Sequence, residues 1–238
     1  MESTVHIKEF LSGTEVDEIL AILQSNYNCS SNNYVPYRFS EFNWQQTDEH
    51  FSTTTTFDRQ FFAGSLSNIR ERLNAAIPSF KIRSIREMEC DFLFNQMTIR
   101  VLHPGMVDIH EHCENISAYY FERFFAELNK VVTSKDQYSI LIMLQPPSEG
   151  GQIVVYDEHW KDLESVPEQI SRLQQLDASG NDNHVSMRFN LGKGDMLFFP
   201  AGRTFHKVSQ AHGDRPRITL GGFAAYHQQE PETLVFWS

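Results

Sequence analysis

The chain has 238 residues and a formal net charge of −11, from 31 acidic and 20 basic residues. Hydrophobic residues make up 40% of it, which is enough to build a core and excludes a chain that is disordered throughout. The acidic excess argues against binding to nucleic acid or to an anionic membrane, because both depend on clustered Lys and Arg. No apolar run approaches the roughly 20 residues that span a bilayer, and the N-terminus lacks a signal-peptide pattern. We therefore expect a cytoplasmic protein.

Histidine outnumbers cysteine in this chain by ten to three. The cysteines, at positions 29, 90 and 113, form no Cys-x-x-Cys pair, so the sequence predicts neither a disulfide framework nor a zinc knuckle. If the protein holds a metal ion, imidazole and carboxylate groups are the expected ligands.

Helical patterns dominate the first 89 residues. Apolar residues at helical spacing predict amphipathic helices over residues 12–26 and 65–77. The polar stretch between them predicts a loop with one or two short strands, and its run of Ser and Thr at 52–56 predicts a polar loop or an edge strand. We interpret residues 1–89 as a helical support region for the rest of the chain.

From about residue 90 the pattern changes to short β-rich runs separated by turn residues. The predicted strands cover residues 92–102, 107–112, 138–144, 152–156, 185–191, 195–199, 204–208, 217–224 and 234–237. Many short strands at this spacing indicate a β-sandwich or barrel, and two predicted helices, at 117–129 and 167–176, interrupt them. The sequence therefore predicts a mainly β protein with flanking helices (α+β), in a single domain over residues 1–238 whose core is 90–238.

The first group of candidate site residues lies in the predicted strand at 107–114. Its sequence, VDIHEHCE, alternates so that His110, His112 and Glu114 project to one face. Because His112 and Glu114 stand at i and i+2, they can hold one metal ion without a bend in the backbone.

The second group lies near the C-terminus. Residues 194–206 read as a turn, a buried strand, another turn and a strand that presents His206. Eleven residues further on, Arg217 and Thr219 share one face of the next predicted strand. Two histidines and one carboxylate hold Fe(II) on one side and leave positions open for substrate and O₂. A nearby arginine can bind the carboxylate of an oxo-acid through two parallel hydrogen bonds.

In this order, the two groups resemble the motif of the Fe(II)/2-oxoglutarate-dependent oxygenases, whose core is a double-stranded β-helix, or jelly roll. The matching positions are His112-Cys113-Glu114, His206 and Arg217-Ile218-Thr219. The segment from Arg217 to Ser238 is most similar to members that modify small molecules, including the group with the indole-alkaloid halogenases. The resemblance covers about residues 90–238.

The resemblance implies a role for each matching residue. His112, Glu114 and His206 would form the catalytic metal site for Fe(II), and Arg217, helped by Thr219, would bind the far carboxylate of 2-oxoglutarate. The expected reaction consumes O₂ and 2-oxoglutarate, releases succinate and CO₂, and hydroxylates an aliphatic C–H bond of a small molecule, as in natural product biosynthesis. We expect a monomer or a homodimer.

Glu114 departs from the pattern of the halogenases within this family. Those members have Gly or Ala at this position, which leaves room for chloride, so Glu114 argues against halogenation. In the family that this sequence resembles, the acidic ligand is more often Asp. The Glu at position 114 has one more methylene group and can still reach the metal.

Neighbouring residues offer alternatives. If His110 and His112 were both ligands, the site would resemble that of a cupin, and the protein would be a metal-dependent enzyme or binding protein that does not use 2-oxoglutarate. Arg215 is an alternative to Arg217 as the carboxylate-binding residue, and Arg100 could face the core and assist. Alternation places Cys113 on the face opposite the metal ligands.

Overall fold

Two β-sheets form the centre of the molecule, and helices cover their outer faces. The computed structural model describes residues 4–29, 33–36, 48–90, 93–105, 110–114, 123–133, 136–160, 166–180 and 182–238. Within these ranges the helices are α1 (Gly13–Asn26), α2 (Asp48–Phe61), α3 (Ile69–Ala76), α4 (Arg123–Val131) and α5 (Val166–Ala178). The strands are β1 (Val5–Ile7), β2 (Asn33–Val35), β3 (Lys81–Ser84), β4 (Thr98–Leu102), β5 (Tyr138–Gln145), β6 (Glu149–Gly150), β7 (Ile153–His159), β8 (Val185–Phe189), β9 (Met196–Phe199), β10 (Thr204–Val208), β11 (Ala211–His212), β12 (Arg217–Tyr226) and β13 (Thr233–Trp237). Short 3₁₀ turns lie at Ile85–Glu87 and Asp182–His184.

The larger sheet is organised around β12. Along one edge β12 pairs with β5, and β5 pairs with β9 and then β1. Along its other edge, the first half of β12 pairs with β4 and the second half with β13. β2 extends the sheet beyond β4, and β3 extends it beyond β13 in the one parallel pairing among these strands.

The smaller sheet has the order β10-β7-β8, and all its pairings are antiparallel. A short antiparallel pair of β6 and β11 continues it at one end. Beyond β10, His112 forms an isolated antiparallel bridge with His206. The segment 110–114 is therefore the outermost member of this sheet among the described residues.

The two sheets face each other, so the molecule has four layers. Apolar side chains of both sheets meet in the middle, among them Met143 and Leu197 from the larger sheet and Ile153 from the smaller. The outer face of the larger sheet packs against α1, α2 and α3. The outer face of the smaller sheet packs against α5. Each sheet thus buries apolar side chains on both of its faces, and the helices cover the faces that the other sheet does not.

The helix predicted over residues 12–26 is confirmed as α1. The Ser12 side chain accepts a hydrogen bond from the Glu15 backbone N–H, and the Glu15 carboxylate accepts one from the Ser12 backbone N–H. This capping box satisfies two backbone groups that the first turn leaves open. The helix predicted over residues 65–77 corresponds to α3, which begins at Ile69, four residues later than predicted, because residues 62–68 form turns.

The Ser and Thr run at 52–56 lies inside α2, so the prediction of a polar loop or edge strand there is wrong. His50, Thr54, Phe57 and Phe61 are all buried, and they recur at intervals of three or four residues. They therefore form one face of a helix, and burial of that face outweighs the low helix propensity of β-branched threonine.

The first 89 residues, interpreted from sequence as helical support, also supply strands. β1, β2 and β3 each pair with a strand of the larger sheet. β1 lies against β9, and β3 lies parallel to β13, so this region is part of the sheet as well as its cover.

The remaining helix predictions correspond to α4 and α5. The helix predicted over 167–176 is confirmed as Val166–Ala178. α4 covers the second half of the helix predicted over 117–129, whereas residues 115–122 and the first part of the predicted strand at 107–112 lie outside the described residues. None of the helices in the described ranges is long and apolar enough to cross a bilayer.

Candidate metal centre

His112, Glu114 and His206 come together on the inner face of the smaller sheet. One ligand-type atom from each lies within 4.8 Å of the others. Oε1 of Glu114 is 3.7 Å from Nε2 of His112 and 3.8 Å from Nε2 of His206. These separations are too long for hydrogen bonds, and they leave space for one cation bound by all three atoms.

The backbone fixes the relative position of the two histidines. The N–H of His112 donates to the carbonyl of His206 at 3.0 Å, and the N–H of His206 donates to the carbonyl of His112 at 2.8 Å. The N–H of Glu114 donates to the carbonyl of Ala201 at 2.8 Å. The three side chains therefore converge because His112 and His206, 94 positions apart in the sequence, pair through their main chains.

Each histidine presents the same nitrogen to the centre. Nδ1 of His112 donates to the carbonyl of His110 at 2.7 Å, and Nδ1 of His206 donates to the carbonyl of Thr204 at 2.9 Å. A carbonyl can only accept, so the proton of each neutral imidazole lies on Nδ1 and Nε2 keeps a lone pair. A metal-binding histidine commonly donates its other ring N–H to a backbone carbonyl in this way.

Ser139 orients the carboxylate of Glu114. Its hydroxyl donates to Oε2 at 2.8 Å, which leaves Oε1 directed at the two histidines. No motif in the sequence pointed to Ser139. The available signal was its polarity, because Ser139 interrupts an otherwise apolar strand, YSILIML.

The charges of the three groups favour a cation. Burial raises the pKa of Glu114, but the two nearby histidines lower it by more. The net pKa is therefore below the usual value for Glu, and the carboxylate is ionised at neutral pH. Burial and the neighbouring His112 lower the pKa of His206, which keeps that imidazole neutral and able to bind a metal. The Phe199 ring lies edge-on to His206 with centroids 4.9 Å apart and fixes its orientation.

Arg217 and Thr219 lie buried on the inner face of β12, as alternation predicted. Nε of Arg217 donates to the Gly151 carbonyl at 3.0 Å, whereas Nη2 is buried and has no hydrogen-bond partner within the described ranges. Burial and the positive charge of Arg100 lower the pKa of Arg217 to about 9. A buried guanidinium without a counter-charge is costly, so this position suits an anion.

Gly151 makes room for the Arg217 side chain. A Cβ at position 151 would lie 3.1 Å from Cδ of Arg217 and 2.7 Å from Cγ of Pro147. The residue also has a φ of +65°, which glycine adopts without strain. Substitution of Gly151 would therefore displace the guanidinium.

The side chains of the alternative candidates do not reach the three metal-ligand atoms. His110 is exposed, and only its carbonyl contributes to the site. Arg215 is exposed and donates to the Pro147 carbonyl at 3.2 Å. Arg100 pairs across the strands with Thr219 and is partly buried, close enough for its charge to act on Arg217. Cys113 is buried on the opposite face, against α5, as expected.

Solved structures of low sequence identity share this fold. A novel N-substituted L-amino acid dioxygenase from Burkholderia ambifaria AMMD, in complex with alpha-KG, superimposes with a TM-score of 0.54 at 14% identity. The match covers 97% of this chain and 84% of that one. HygX from Streptomyces hygroscopicus, with nickel and 2-oxoglutarate bound, gives a TM-score of 0.51 at 12% identity, over 92% of this chain and 81% of that one. No curated protein sequence matches the chain.

The fold is thus the double-stranded β-helix of the Fe(II)/2-oxoglutarate-dependent oxygenases, and the chain is a member of that superfamily. Within it, the chain belongs to the family described as "Carrier-protein-independent halogenase WelO5", whose model matches residues 4–238. The match also includes the N-terminal region, which the motif resemblance did not reach.

Proposed function

We propose that this protein is a non-haem Fe(II)- and 2-oxoglutarate-dependent dioxygenase that hydroxylates an aliphatic C–H bond of a small molecule. The observation that carries the proposal is the convergence of His112, Glu114 and His206. Two imidazole nitrogens with free lone pairs and one carboxylate oxygen match the donor set that non-haem Fe(II) sites use.

The surroundings of Arg217 support 2-oxoglutarate as the cosubstrate. The far carboxylate of 2-oxoglutarate would supply the counter-charge that the buried guanidinium lacks among the described residues. Thr219, on the same face of β12, would add a hydroxyl to that carboxylate. HygX and the dioxygenase from Burkholderia ambifaria are recorded with this ligand bound, which agrees with the assignment.

The protein's own residues would prepare the site for the reaction. With Fe(II), O₂ and 2-oxoglutarate bound, the site would supply oxidative decarboxylation of the cosubstrate coupled to hydroxylation. The carbonyls of His110 and Thr204 hold the two imidazoles in the tautomer that binds metal. Ser139 keeps one oxygen of Glu114 away from the metal position, so that the carboxylate occupies a single place there.

Succinate release tests the proposal. The protein, freed of metal and reloaded with Fe(II) under anaerobic conditions, is mixed with 2-oxoglutarate and O₂, and slow succinate formation is expected even without the substrate. His112→Ala and His206→Ala should abolish iron binding and succinate formation together. The absence of both succinate and iron-dependent binding of 2-oxoglutarate would overturn the proposal. A metabolite library screened for faster succinate release would then identify the substrate class.

Halogenation is the second candidate, because the family description names a halogenase. The position of Glu114 weighs against it. Its carboxylate oxygen already stands within 4 Å of both histidine nitrogens, where the motif resemblance implies that halogenases leave room for chloride. We therefore infer that hydroxylation is the native outcome.

Mass spectrometry of the product decides between the two candidates. A substrate found in the library screen is converted in the presence of chloride or bromide, and the wild-type protein should add oxygen alone. A halogenated product from the wild type would establish the second candidate. Glu114→Gly should weaken Fe(II) binding, and an unchanged affinity would remove Glu114 from the ligand set.

A further inference from the structure

An ionic cluster lies behind the two histidines, on the outer face of the smaller sheet. We call it the outer cluster. It consists of Glu111, Tyr156, Asp177, His184 and Lys207. The side chains of Asp177 and Lys207 are about four-fifths buried, and that of Glu111 is more fully so. Charged groups are rarely this buried unless they are paired.

Lys207 is the cation at the centre of the outer cluster. Its Nζ donates to Oε1 of Glu111 at 3.2 Å and also to Oδ2 of Asp177. Asp177 belongs to α5 and in addition accepts hydrogen bonds from the Tyr156 hydroxyl at 2.5 Å and from His184 at 2.8 Å. Asp177 therefore keeps two other donors if Lys207 is removed, whereas Glu111 depends mainly on Lys207.

The positions of Glu111 and Lys207 in the chain connect the cluster to the metal centre. Glu111 precedes His112, and Lys207 follows His206. Neighbouring residues of a strand point to opposite faces, so the two histidines face inward while Glu111 and Lys207 meet on the outer side. The ion pair thus spans the same two segments that the bridge between His112 and His206 joins.

The backbone pairing of the segment 110–114 is short among the described residues, although Cys113 is buried against α5 and Glu114 accepts a hydrogen bond from Ser139. The bridge contributes two backbone hydrogen bonds, and Glu114 adds a third, to Ala201. A segment with so short a pairing has weakly specified register unless its side chains fix it. A buried pair between Glu111 and Lys207 supplies that constraint.

We propose that Glu111 and Lys207 are positioning residues, whose ion pair holds the first histidine of the metal centre in register with the second. The inference rests on the proposed function, since it concerns the same metal-binding site. Neither side chain faces the metal position, and both act through the histidine beside them. Groups that hydrogen-bond a metal ligand directly change metal affinity by about 10- to 100-fold. The pair of Glu111 and Lys207 acts through the neighbouring residue, so its loss should weaken metal binding by about tenfold, at the lower end of that range.

Glu111→Gln and Asp177→Asn form a matched pair of variants for the test. Each removes one carboxylate charge from the same lysine without a change in shape, but only Glu111 belongs to the segment that carries His112. Mn(II) affinity of the full chain is measured by electron paramagnetic resonance at a temperature where circular dichroism shows each variant folded. Visible spectra with Co(II) report the geometry of the ligands.

We expect Glu111→Gln to weaken Mn(II) binding about tenfold or more and to alter the Co(II) spectrum. Asp177→Asn should stay within about twofold of the wild type. Equal losses in Glu111→Gln and Asp177→Asn would overturn the proposal, because the cluster would then act only through general stability. An unchanged affinity in Glu111→Gln would overturn it as well.

Hydrogen exchange gives a second measurement that needs no metal. In the metal-free full chain, the amides of His112 and His206 should exchange faster in Glu111→Gln than in Asp177→Asn, and equal rates would contradict the proposal. A wild-type protein that binds no metal would count against the proposed function, whereas normal metal binding with unchanged exchange in Glu111→Gln would count against the positioning role alone.

Discussion

Arg215 and Arg217 are separated by a single proline and differ in their surroundings. Arg217 is 1% exposed, with one guanidinium nitrogen on the Gly151 carbonyl and another without a partner in the described part of the chain. Arg215 is exposed and contacts only the Pro147 carbonyl among the hydrogen bonds described. A carboxylate bound between the two sheets can therefore reach Arg217. It would be transferred from water to a guanidinium that is already desolvated.

Arg217→Met should weaken 2-oxoglutarate binding while Fe(II) or Mn(II) affinity stays unchanged. Hydrogen bonds to charged groups contribute about 1.5–3 kcal/mol each, so the expected loss is about 10- to 100-fold. Calorimetric titration of the metal-loaded protein measures it, with Arg215→Met as the matched control. A larger loss in Arg215→Met than in Arg217→Met would transfer the role to Arg215.

Ser139 gives a second prediction at the scale of single residues. Ser139→Ala removes the hydrogen bond to Glu114 Oε2, so the carboxylate gains freedom and metal affinity should fall about tenfold. Ser148→Ala is the control, because its hydroxyl makes a similar hydrogen bond of 2.7 Å to Asp214 in an exposed turn. Titration with Mn(II) should show a loss in the first variant only, and equal affinities in both would exclude an orienting role for Ser139.

At the scale of elements, the strands near the site were predictable and α2 was not. β5, β9, β10 and β12 follow apolar runs bounded by glycine or proline, which is a local signal. In α2 the local signal is a row of β-branched residues, and the deciding factor is the packing of one face against the larger sheet. A propensity of a few tenths of a kcal/mol per residue cannot outweigh such burial.

Phe57 and Phe51 test the orientation of α2. Phe57 is fully buried, whereas Phe51 is 41% exposed on the same helix. Phe57→Ala should lower the free energy of unfolding by about 3–5 kcal/mol, and Phe51→Ala should change it by no more than about 0.5 kcal/mol. Denaturant titration measures both. Comparable losses in the two variants would mean that the helix packs through another face.

At the scale of the whole molecule, the candidate metal centre joins parts of the chain that are distant in sequence. The segment 110–114, the turn before β10 and the first residues of β5 all contribute contacts to it. The larger sheet contributes Arg217, and the smaller sheet contributes His206. A ligand that contacts both sheets should therefore stabilise the fold as a unit.

Mn(II) and 2-oxoglutarate together should raise the melting temperature of the wild-type protein. Ligands at 100 times their dissociation constant add about 2.7 kcal/mol, which corresponds to about 5–10 °C for a chain of this size. Differential scanning calorimetry with and without both ligands measures the shift. His206→Ala should show none of it, and an equal shift in that variant would place the ligands elsewhere.

Local patterns in the amino-acid sequence were enough to predict the β-rich core and the face that the candidate residues share. Alternation along a strand is a local property, so His112 and Glu114 share a face in any extended conformation, and the same holds for Arg217 and Thr219. The order of these residues along the chain was enough to suggest the superfamily, which the match over residues 4–238 then established.

Long-range packing determines which of the candidate residues meet and which contacts hold them. The choice of Arg217 over Arg215 depends on burial, and the role of Ser139 depends on a contact 25 residues away in the chain. The pair of Glu111 and Lys207 joins residues 96 positions apart. No local pattern encodes such contacts, because they exist only after two sheets have paired and packed face to face.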